Sequence, residues 1–147
     1  MKHETMTRED ILGAQRAWGD AVVAADVQAL LALYDFDNAH GPILFKPTMA
    51  ADIRTDRAGA ESYFVGGDAR YPDDKGFLNK GWTSVVFHSA AGTVFEGGRL
   101  AANDMGKYVF TDQAGNTARA DYTFSYHKVD GRVLITLHHS SFVYVPE

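Results

Sequence analysis

The run 136–141, Thr-Leu-His-His-Ser-Ser, is the part of the sequence with the greatest capacity for chemistry. It places two imidazoles and two hydroxyls side by side in a segment whose neighbours are typical of a β-strand. A strand that removes such groups from water loses free energy unless their hydrogen bonds are replaced. The run therefore predicts a polar site that holds a ligand.

A predicted hairpin positions this run on a sheet. The dipeptide 130–131, Asp-Gly, accepts the positive φ of a type I′ turn, so we expect Val129 to face Arg132. A regular register from that pair puts His139 opposite Tyr122, and the alternation of side chains then gives one aromatic and aliphatic face. We expect this face to line a core or pocket. Its members are Ala120, Tyr122, Phe124, Tyr126, Ile135, Leu137, His139 and Ser141.

The opposite face of the same hairpin is polar throughout, and we expect it to meet solvent or another subunit. A broad polar sheet face of this kind predicts at least a homodimer, with a higher homo-oligomer as the alternative. The face consists of Asp121, Thr123, Ser125, Thr136, His138 and Ser140.

Composition excludes several classes of partner. The net charge of −5 and the absence of a Lys/Arg cluster argue against nucleic acid or an anionic membrane, since either needs a basic patch. No apolar run approaches the length of a membrane span, and the N-terminus is not typical of a signal peptide, so we expect a soluble, cytoplasmic protein. Without cysteine there is no disulfide and no thiolate nucleophile.

The paired histidines invite a metal hypothesis, which the strand geometry disfavours. Adjacent strand residues point to opposite faces, so His138 and His139 cannot both bind one ion from a regular strand. No His-x-His or His-Glu-x-x-His spacing occurs in the chain. We therefore predict neither a metal nor a cofactor.

The elements that must position the run follow from periodicity and turn chemistry. Helical spacing that includes Trp18, after a capping box at Thr7, predicts a first helix. Helices precede an antiparallel meander in a single domain, 1–147, which is the α+β pattern of helices packed on a curved sheet. The predicted helices are 7–25, 26–34 and 55–65, a short strand is 43–45, a polar loop is 68–81, and the later strands are 82–90, 92–103, 105–111, 116–128 and 132–144.

Four segments together resemble a known family. They are 44–48 (Leu-Phe-Lys-Pro-Thr), 61–67 (Glu-Ser-Tyr-Phe-Val-Gly-Gly), 122–124 (Tyr-Thr-Phe) and 137–141 (Leu-His-His-Ser-Ser). The chain resembles the bacterial proteins similar to the association domain of calcium/calmodulin-dependent protein kinase II, a branch that includes the iota-class carbonic anhydrases. The resemblance implies the cone-shaped, cystatin-like roll of nuclear transport factor 2, with the N-terminal helices on the concave face of the sheet.

The resemblance also implies an activity, a metal-independent lyase that interconverts carbon dioxide and bicarbonate in a polar pocket at the base of the cone. Carried over by motif, its catalytic residues are Thr48, Tyr63, His139 and Ser141. The strand-face argument selects the last two independently. Trp18, Tyr122, Phe124 and Leu137 are expected to line the pocket.

Two other functions stay open at this point. The first is a non-catalytic oligomeric domain that binds a small organic ligand. The second is an isomerase or cyclase on the same fold, which needs a pocket carboxylate as base, and Asp35, Asp37 and Glu96 are its candidates. The size and lining of the cavity discriminate among the three hypotheses, because a narrow polar cavity favours the lyase and a large one favours the others.

Overall fold

The computed structural model describes residues 2–37 and 41–147, except for the side chains of 89–91. In the described residues, three α-helices and a short 3₁₀-helix accompany six β-strands. In chain order these are β1 (His3–Glu4), α1 (Arg8–Val23), α2 (Val27–Leu31), β2 (Leu44–Lys46), α3 (Arg57–Val65), the 3₁₀-helix (Phe77–Lys80), β3 (Trp82–Glu96), β4 (Ala101–Asp112), β5 (Thr117–Val129) and β6 (Arg132–Phe142).

The capping box predicted at the start of α1 is confirmed. The Asp10 backbone N–H donates to Oγ1 of Thr7 at 3.3 Å, and Oδ2 of Asp10 accepts from the Thr7 backbone N–H at 2.9 Å. Two N–H groups that a helix start leaves without partners are thereby satisfied. Along α1, Ile11, Gln15, Trp18 and Val22 are buried, so the helix packs with this stripe on the sheet.

The strands form one six-stranded sheet in the order β2-β6-β5-β4-β3, with β1 paired to the end of β5. All neighbours are antiparallel except β2 and β6, which run parallel. The helices cover one face, where a hydrophobic core runs from Met6 to Ile135. The α+β class with helices on one face of the sheet is confirmed. Within the described residues, no helix is long and apolar enough to cross a membrane.

The division predicted between the third and fourth strands is wrong. We expected breaks near Ala91 and Asp104, but the chain turns at 97–100, between Glu96 and Ala101. The reason is conformational, since Gly97, Gly98 and Arg99 all have positive φ, the left-handed region that reverses a chain tightly.

The register predicted for β6 holds only in its first half. Val129 faces Arg132 and Tyr126 faces Ile135 as expected, but Ser125 then pairs with Leu137. Thr136 is the extra residue of a β-bulge, which shifts the remaining pairs by one position. Every later side chain of β6 is therefore on the face opposite to the one predicted.

The segment before β2 accounts for the position of the bulge. The Ile135 backbone N–H donates to the Leu33 carbonyl at 2.8 Å, and the Asp35 N–H donates to the Ile135 carbonyl at 3.0 Å. The Ile135 backbone is thus hydrogen-bonded to a segment about 100 residues earlier in the chain, on the edge of β6 that faces away from β5. Such a contact between distant segments lies outside what the hairpin alone determines.

Candidate functional site

His138 lies in an aromatic box inside the fold. Its ring stacks on Phe124 with centroids 4.0 Å apart and on Phe45 with centroids 4.8 Å apart. The indole of Trp18 meets the imidazole edge-on at 5.8 Å. Only 2% of the residue is exposed.

This box keeps the imidazole neutral. Burial disfavours the charged form and, with a smaller contribution from His139, lowers the pKa of His138 to about 3. At any pH near neutrality, one ring nitrogen therefore carries a proton and the other accepts a hydrogen bond. The imidazole acts here as a fixed hydrogen-bonding group and not as a cation.

A chain of hydroxyl groups leads away from this ring. Nε2 of His138 lies 3.0 Å from Oη of Tyr108, and that hydroxyl donates to Oγ of Ser140 at 2.6 Å. Oγ of Ser140 is in turn hydrogen-bonded to Oγ1 of Thr48. Tyr108 and Ser140 are buried, and Thr48 is half-buried, so the chain runs from the core toward the surface.

Trp18 sets the direction of these hydrogen bonds. Its indole N–H can only donate, and it donates to Oη of Tyr34 at 3.0 Å. Oη of Tyr34 lies 2.8 Å from Nδ1 of His138 and can give its own proton to that nitrogen. The proton of the neutral ring is then on Nε2, which donates to Tyr108. Each hydroxyl after it accepts from one side and donates to the next.

Tyr63 lies at the outer end of this chain of hydroxyl groups, next to Thr48. Burial raises the pKa of Tyr63 to about 12, while hydrogen bonds from the Met49 backbone N–H and the Thr48 side chain act in the opposite direction. Both contacts stabilise charge on the phenol oxygen, so that oxygen accepts them. The Tyr63 hydroxyl borders the cavity, where it can donate to a ligand. Burial also raises the pKa values of Tyr34 and Tyr108, so all three phenols stay protonated.

The hydroxyl chain borders a narrow cavity of about 10 Å³, which has room for the centre of about one water molecule. Its wall combines hydroxyls with aromatic rings. The lining residues include Trp18, Phe45, Thr48, Tyr63, Tyr108, His138 and Ser140. A site of this size and lining can hold a small polar molecule by hydrogen bonds and exclude larger ones.

The structure brings together part of the predicted site. Thr48 and Tyr63 border the cavity, as does Trp18. The inward orientation of Tyr122 and Phe124 is confirmed by their burial, but they do not border the cavity: Phe124 stacks under His138, and the Tyr122 hydroxyl donates to Oδ1 of Asp104 at 2.7 Å.

The orientation predicted for His139, Ser141 and Leu137 is wrong. His139 and Ser141 are exposed and border a groove on the outer face of the sheet, and Leu137 is only half-buried on that face. The bulge at Thr136 is the cause, since it turns the neighbouring His138 and Ser140 inward.

Sequence reasoning missed four residues of the site: Tyr34, Tyr108, His138 and Ser140. Tyr108 had a usable signal, because it pairs with Ala120, which was already assigned to the inner face. Tyr34 was placed at the end of the second predicted helix, where periodicity says nothing of a hydroxyl contact. Its role depends on the Trp18 indole and the His138 ring meeting in space.

The carboxylates proposed for an isomerase do not border this cavity. Oδ2 of Asp35 lies 2.5 Å from Nε2 of His127, away from the hydroxyl chain. Asp37 and Glu96 are exposed. Within the described part of the chain, no cluster of three or more His, Asp or Glu side chains is arranged to hold a metal ion.

Solved structures define the class of fold. A protein of Shewanella oneidensis MR-1 described as similar to nuclear transport factor 2 superimposes with a TM-score of 0.69 at 19% identity, over 92% of this chain and 99% of that one. A Xanthomonas campestris protein named for the calcium/calmodulin-dependent kinase II association domain has a TM-score of 0.69 at 28% identity, over 90% and 85% of the two chains. The fold is thus the cystatin-like roll of nuclear transport factor 2.

Closer matches define the family. The family model of metal-independent carbonic anhydrases matches residues 11–142. A metal-independent carbonic anhydrase from Nostoc sp. (strain PCC 7120) is 39% identical over 160 aligned residues, which cover 97% of this chain and 76% of that protein. A cyanobacterial iota-carbonic anhydrase solved with bicarbonate has a TM-score of 0.86 and 35% identity, over 99% and 98% of the two chains. The chain belongs to the metal-independent carbonic anhydrase family, which confirms the resemblance seen in the sequence.

Proposed function

We propose that this protein interconverts carbon dioxide and bicarbonate at the cavity bordered by the hydroxyl chain. The observation that carries the proposal is the unbroken run of hydrogen bonds from Tyr34 through His138, Tyr108 and Ser140 to Thr48. Thr48 and the Tyr63 hydroxyl border the same cavity. Membership of the family and the similarity to a bicarbonate-bound relative support it.

The reaction joins the oxygen of water to the carbon of carbon dioxide, and the water loses one proton. The cavity itself has room for about one water molecule, so carbon dioxide is placed at its mouth. There the Tyr63 hydroxyl donates to one of its oxygens and stabilises the negative charge that grows on that oxygen. The side chains of Thr48 and Ser140 hold the attacking water in line with the carbon. A neighbouring hydroxyl accepts the proton that the attacking water loses and gives up its own proton to a solvent water or buffer base at the mouth, so that the hydroxyl itself stays neutral.

In this mechanism His138 positions other groups and does not take up the proton. Its pKa of about 3 makes it a poor base near neutrality. Both ring nitrogens are already occupied by Tyr34 and Tyr108, so the imidazole fixes these two phenols in place. The rate enhancement then depends on orientation and on hydrogen bonds prepared in advance.

The narrow cavity favours this function over the two alternatives. A cavity of about 10 Å³ does not admit a bicyclic substrate or a sizeable organic ligand. The carboxylate that an isomerase would use as base is not supplied by Asp35, Asp37 or Glu96, none of which borders the cavity.

Stopped-flow measurement of carbon dioxide hydration tests the proposal. Wild-type protein should accelerate hydration, and Tyr63→Phe should lower kcat/KM about 100-fold, as loss of one positioned donor does in other enzymes. The phenylalanine ring keeps the packing against Phe77, whose centroid is 5.8 Å from that of Tyr63. The Tyr63→Phe protein should therefore unfold at nearly the wild-type temperature. Wild-type protein without activity would reject the enzyme hypothesis.

The homodimer and the cytoplasmic location remain predictions. The outer sheet face supports association, since it exposes Thr123, Ser125 and His139 in part and leaves Met105 62% exposed. His138 no longer belongs to this face, contrary to the sequence-based assignment. Light scattering should give about twice the chain mass of 16.1 kDa. A mass equal to that of one chain at micromolar concentration would reject association.

A further inference from the structure

A second concavity, the vestibule, lies directly outside the cavity. It has a volume of about 210 Å³ and is formed by Met49, Tyr63, Lys75, Phe77 and Lys80 together with the aspartates 73 and 74. Tyr63 and Phe77 border both spaces, so the vestibule adjoins the cavity at these two rings. Tyr63, the proposed donor to carbon dioxide, therefore lies at the boundary between them.

The vestibule has a positive charge balance in an acidic chain. The charge on the Asp74 carboxylate is neutralised by Arg54, whose guanidinium donates two hydrogen bonds to it, of 2.7 and 2.8 Å. Lys75 and Lys80 then face the single carboxylate of Asp73, so one net positive charge remains. The whole chain has a net charge of −5 and repels anions at long range.

Local backbone geometry brings Lys75 and Lys80 to the same concavity. Gly76 has a φ of 81°, which turns the chain so that the Lys75 carbonyl accepts from Nδ2 of Asn79 at 3.2 Å. Lys80 ends the 3₁₀-helix at Gly81, whose φ of 70° reverses the chain again. The two side chains are exposed and border the same concavity.

We propose that this vestibule is the passage for bicarbonate, and that Lys75 and Lys80 draw the anion toward Tyr63. The inference rests on the proposed function for the identity of the anion. Carbon dioxide is neutral and gains nothing from the two lysines, whereas bicarbonate carries a charge that must cross a negatively charged protein surface. Asp73 opposes the two lysines, so it sets how strongly the vestibule attracts an anion.

Binding of bicarbonate, measured without any assay of turnover, tests the inference. ¹⁵N-labelled protein is titrated with sodium bicarbonate at constant ionic strength, and the amide signals of Gly76 and Phe77 report occupancy. Each single change, Lys75→Gln or Lys80→Gln, should weaken binding about 3- to 6-fold, since one charge at a distance of roughly 4 to 6 Å in water has an effect of that size. The change Asp73→Asn should tighten binding by a similar factor.

Lys2→Gln is the matched control, because it removes the same charge at an exposed residue beside the hairpin of β5 and β6. It should leave the bicarbonate affinity unchanged. If it weakens binding as much as Lys75→Gln, or if the double lysine variant binds like wild type, the inference is overturned. Wild-type protein that binds no bicarbonate also overturns it. Lysine-dependent binding without hydration activity would support the vestibule and reject the proposed function.

Discussion

The hydroxyl of Tyr34 lies 2.8 Å from Nδ1 of His138, and this contact determines which nitrogen of the ring carries the proton. Tyr34 already accepts a hydrogen bond from the Trp18 indole, so its own proton is directed to the imidazole. The opposite nitrogen must then donate to Tyr108. The orientation of every hydroxyl out to Tyr63 follows from this arrangement.

Removal of the Tyr34 hydroxyl should destabilise the protein. Tyr34→Phe leaves two buried groups without a partner, the indole N–H of Trp18 and Nδ1 of His138. We expect a loss of about 2 kcal/mol in the free energy of unfolding, with a large loss of hydration activity. Urea denaturation measures the first effect. Tyr144→Phe is the control, because Tyr144 is 81% exposed and its change should have no measurable effect. Equal stability of the two variants would contradict the hydrogen-bond chain.

The protonation of His138 should be visible directly by NMR. We expect the ¹⁵N shifts of a neutral ring with the proton on Nε2, unchanged from pH 8 down to about pH 4, because burial lowers the pKa to about 3. Trp18→Phe removes the indole N–H that directs the Tyr34 proton to His138, so both tautomers of the His138 ring should then contribute to its ¹⁵N shifts. A wild-type ring that titrates between pH 6 and 7 would show that the imidazole is accessible to solvent.

The same group makes stability depend on pH in a definite direction. The folded-state pKa of His138 lies below the value of 6.5 for an unhindered histidine, so the unfolded chain binds the extra proton first. Stability from this residue is complete above pH 6.5 and is lost as the pH falls toward 3. Between pH 7.5 and 5 the loss should be about 2 kcal/mol. His138→Gln should remove this part of the pH dependence, as measured by urea denaturation at both pH values.

Neighbouring residues of the same type provide a strict test of the β6 register. Ser140→Ala should lower kcat/KM about 100-fold, because it removes a hydroxyl between Tyr108 and Thr48. Ser141→Ala, one residue further on, should retain nearly full activity, since Ser141 is exposed on the outer face. The reverse result would support the sequence-based prediction that His139 and Ser141 belong to the site.

The sequence contained enough information for the class of fold and for one side of the site. Helical periodicity and capping predicted α1, and the Asp-Gly turn predicted the β5–β6 hairpin and the inner face of β5, including Tyr122 and Phe124. Both are local properties of the chain. The segment around Thr48 and Tyr63 came from the family resemblance, and periodicity alone treated these residues as a turn and a core position.

The β6 side of the site could not be decided in the same way. A shift by one residue in His-His-Ser-Ser exchanges a histidine for a histidine and a serine for a serine, so either register presents the same chemistry. The bulge at Thr136 is stabilised by contacts with the segment Leu33 to Asp35, which are not visible in the hairpin. A cue was present in the adjacent apolar residues Leu134 and Ile135, both buried, which interrupt strict alternation.

The ion pair between Arg54 and Asp74 should be essential for the wall of the vestibule. Both side chains are at most 4% exposed, and Arg54 also donates to the Gly59 carbonyl and stacks on the ring of Tyr71. Asp74→Asn leaves a buried cation without its counter-charge, and we expect a loss of about 3 kcal/mol in the free energy of unfolding. Arg70→Gln is the control, because Arg70 forms ion pairs at the surface and is half exposed. If Arg70→Gln lowers the free energy of unfolding as much as Asp74→Asn, the buried ion pair contributes no more to stability than the surface pairs, and the prediction is wrong.

Activity should survive complete removal of metal ions. The polar groups around the cavity are hydroxyls and one imidazole whose two nitrogens already contact Tyr34 and Tyr108, and neutral hydroxyls are poor ligands for zinc. We therefore expect the same hydration rate before and after dialysis against a strong chelator, with metal content checked by mass spectrometry. Ser140→Ala, treated in parallel, should stay slow with or without added zinc, because it lacks a positioned hydroxyl and not an ion. Activity that disappears on chelation and returns only with zinc would reject the hydroxyl mechanism. It would indicate that His138 breaks its hydrogen bonds to Tyr34 and Tyr108 and binds a metal ion.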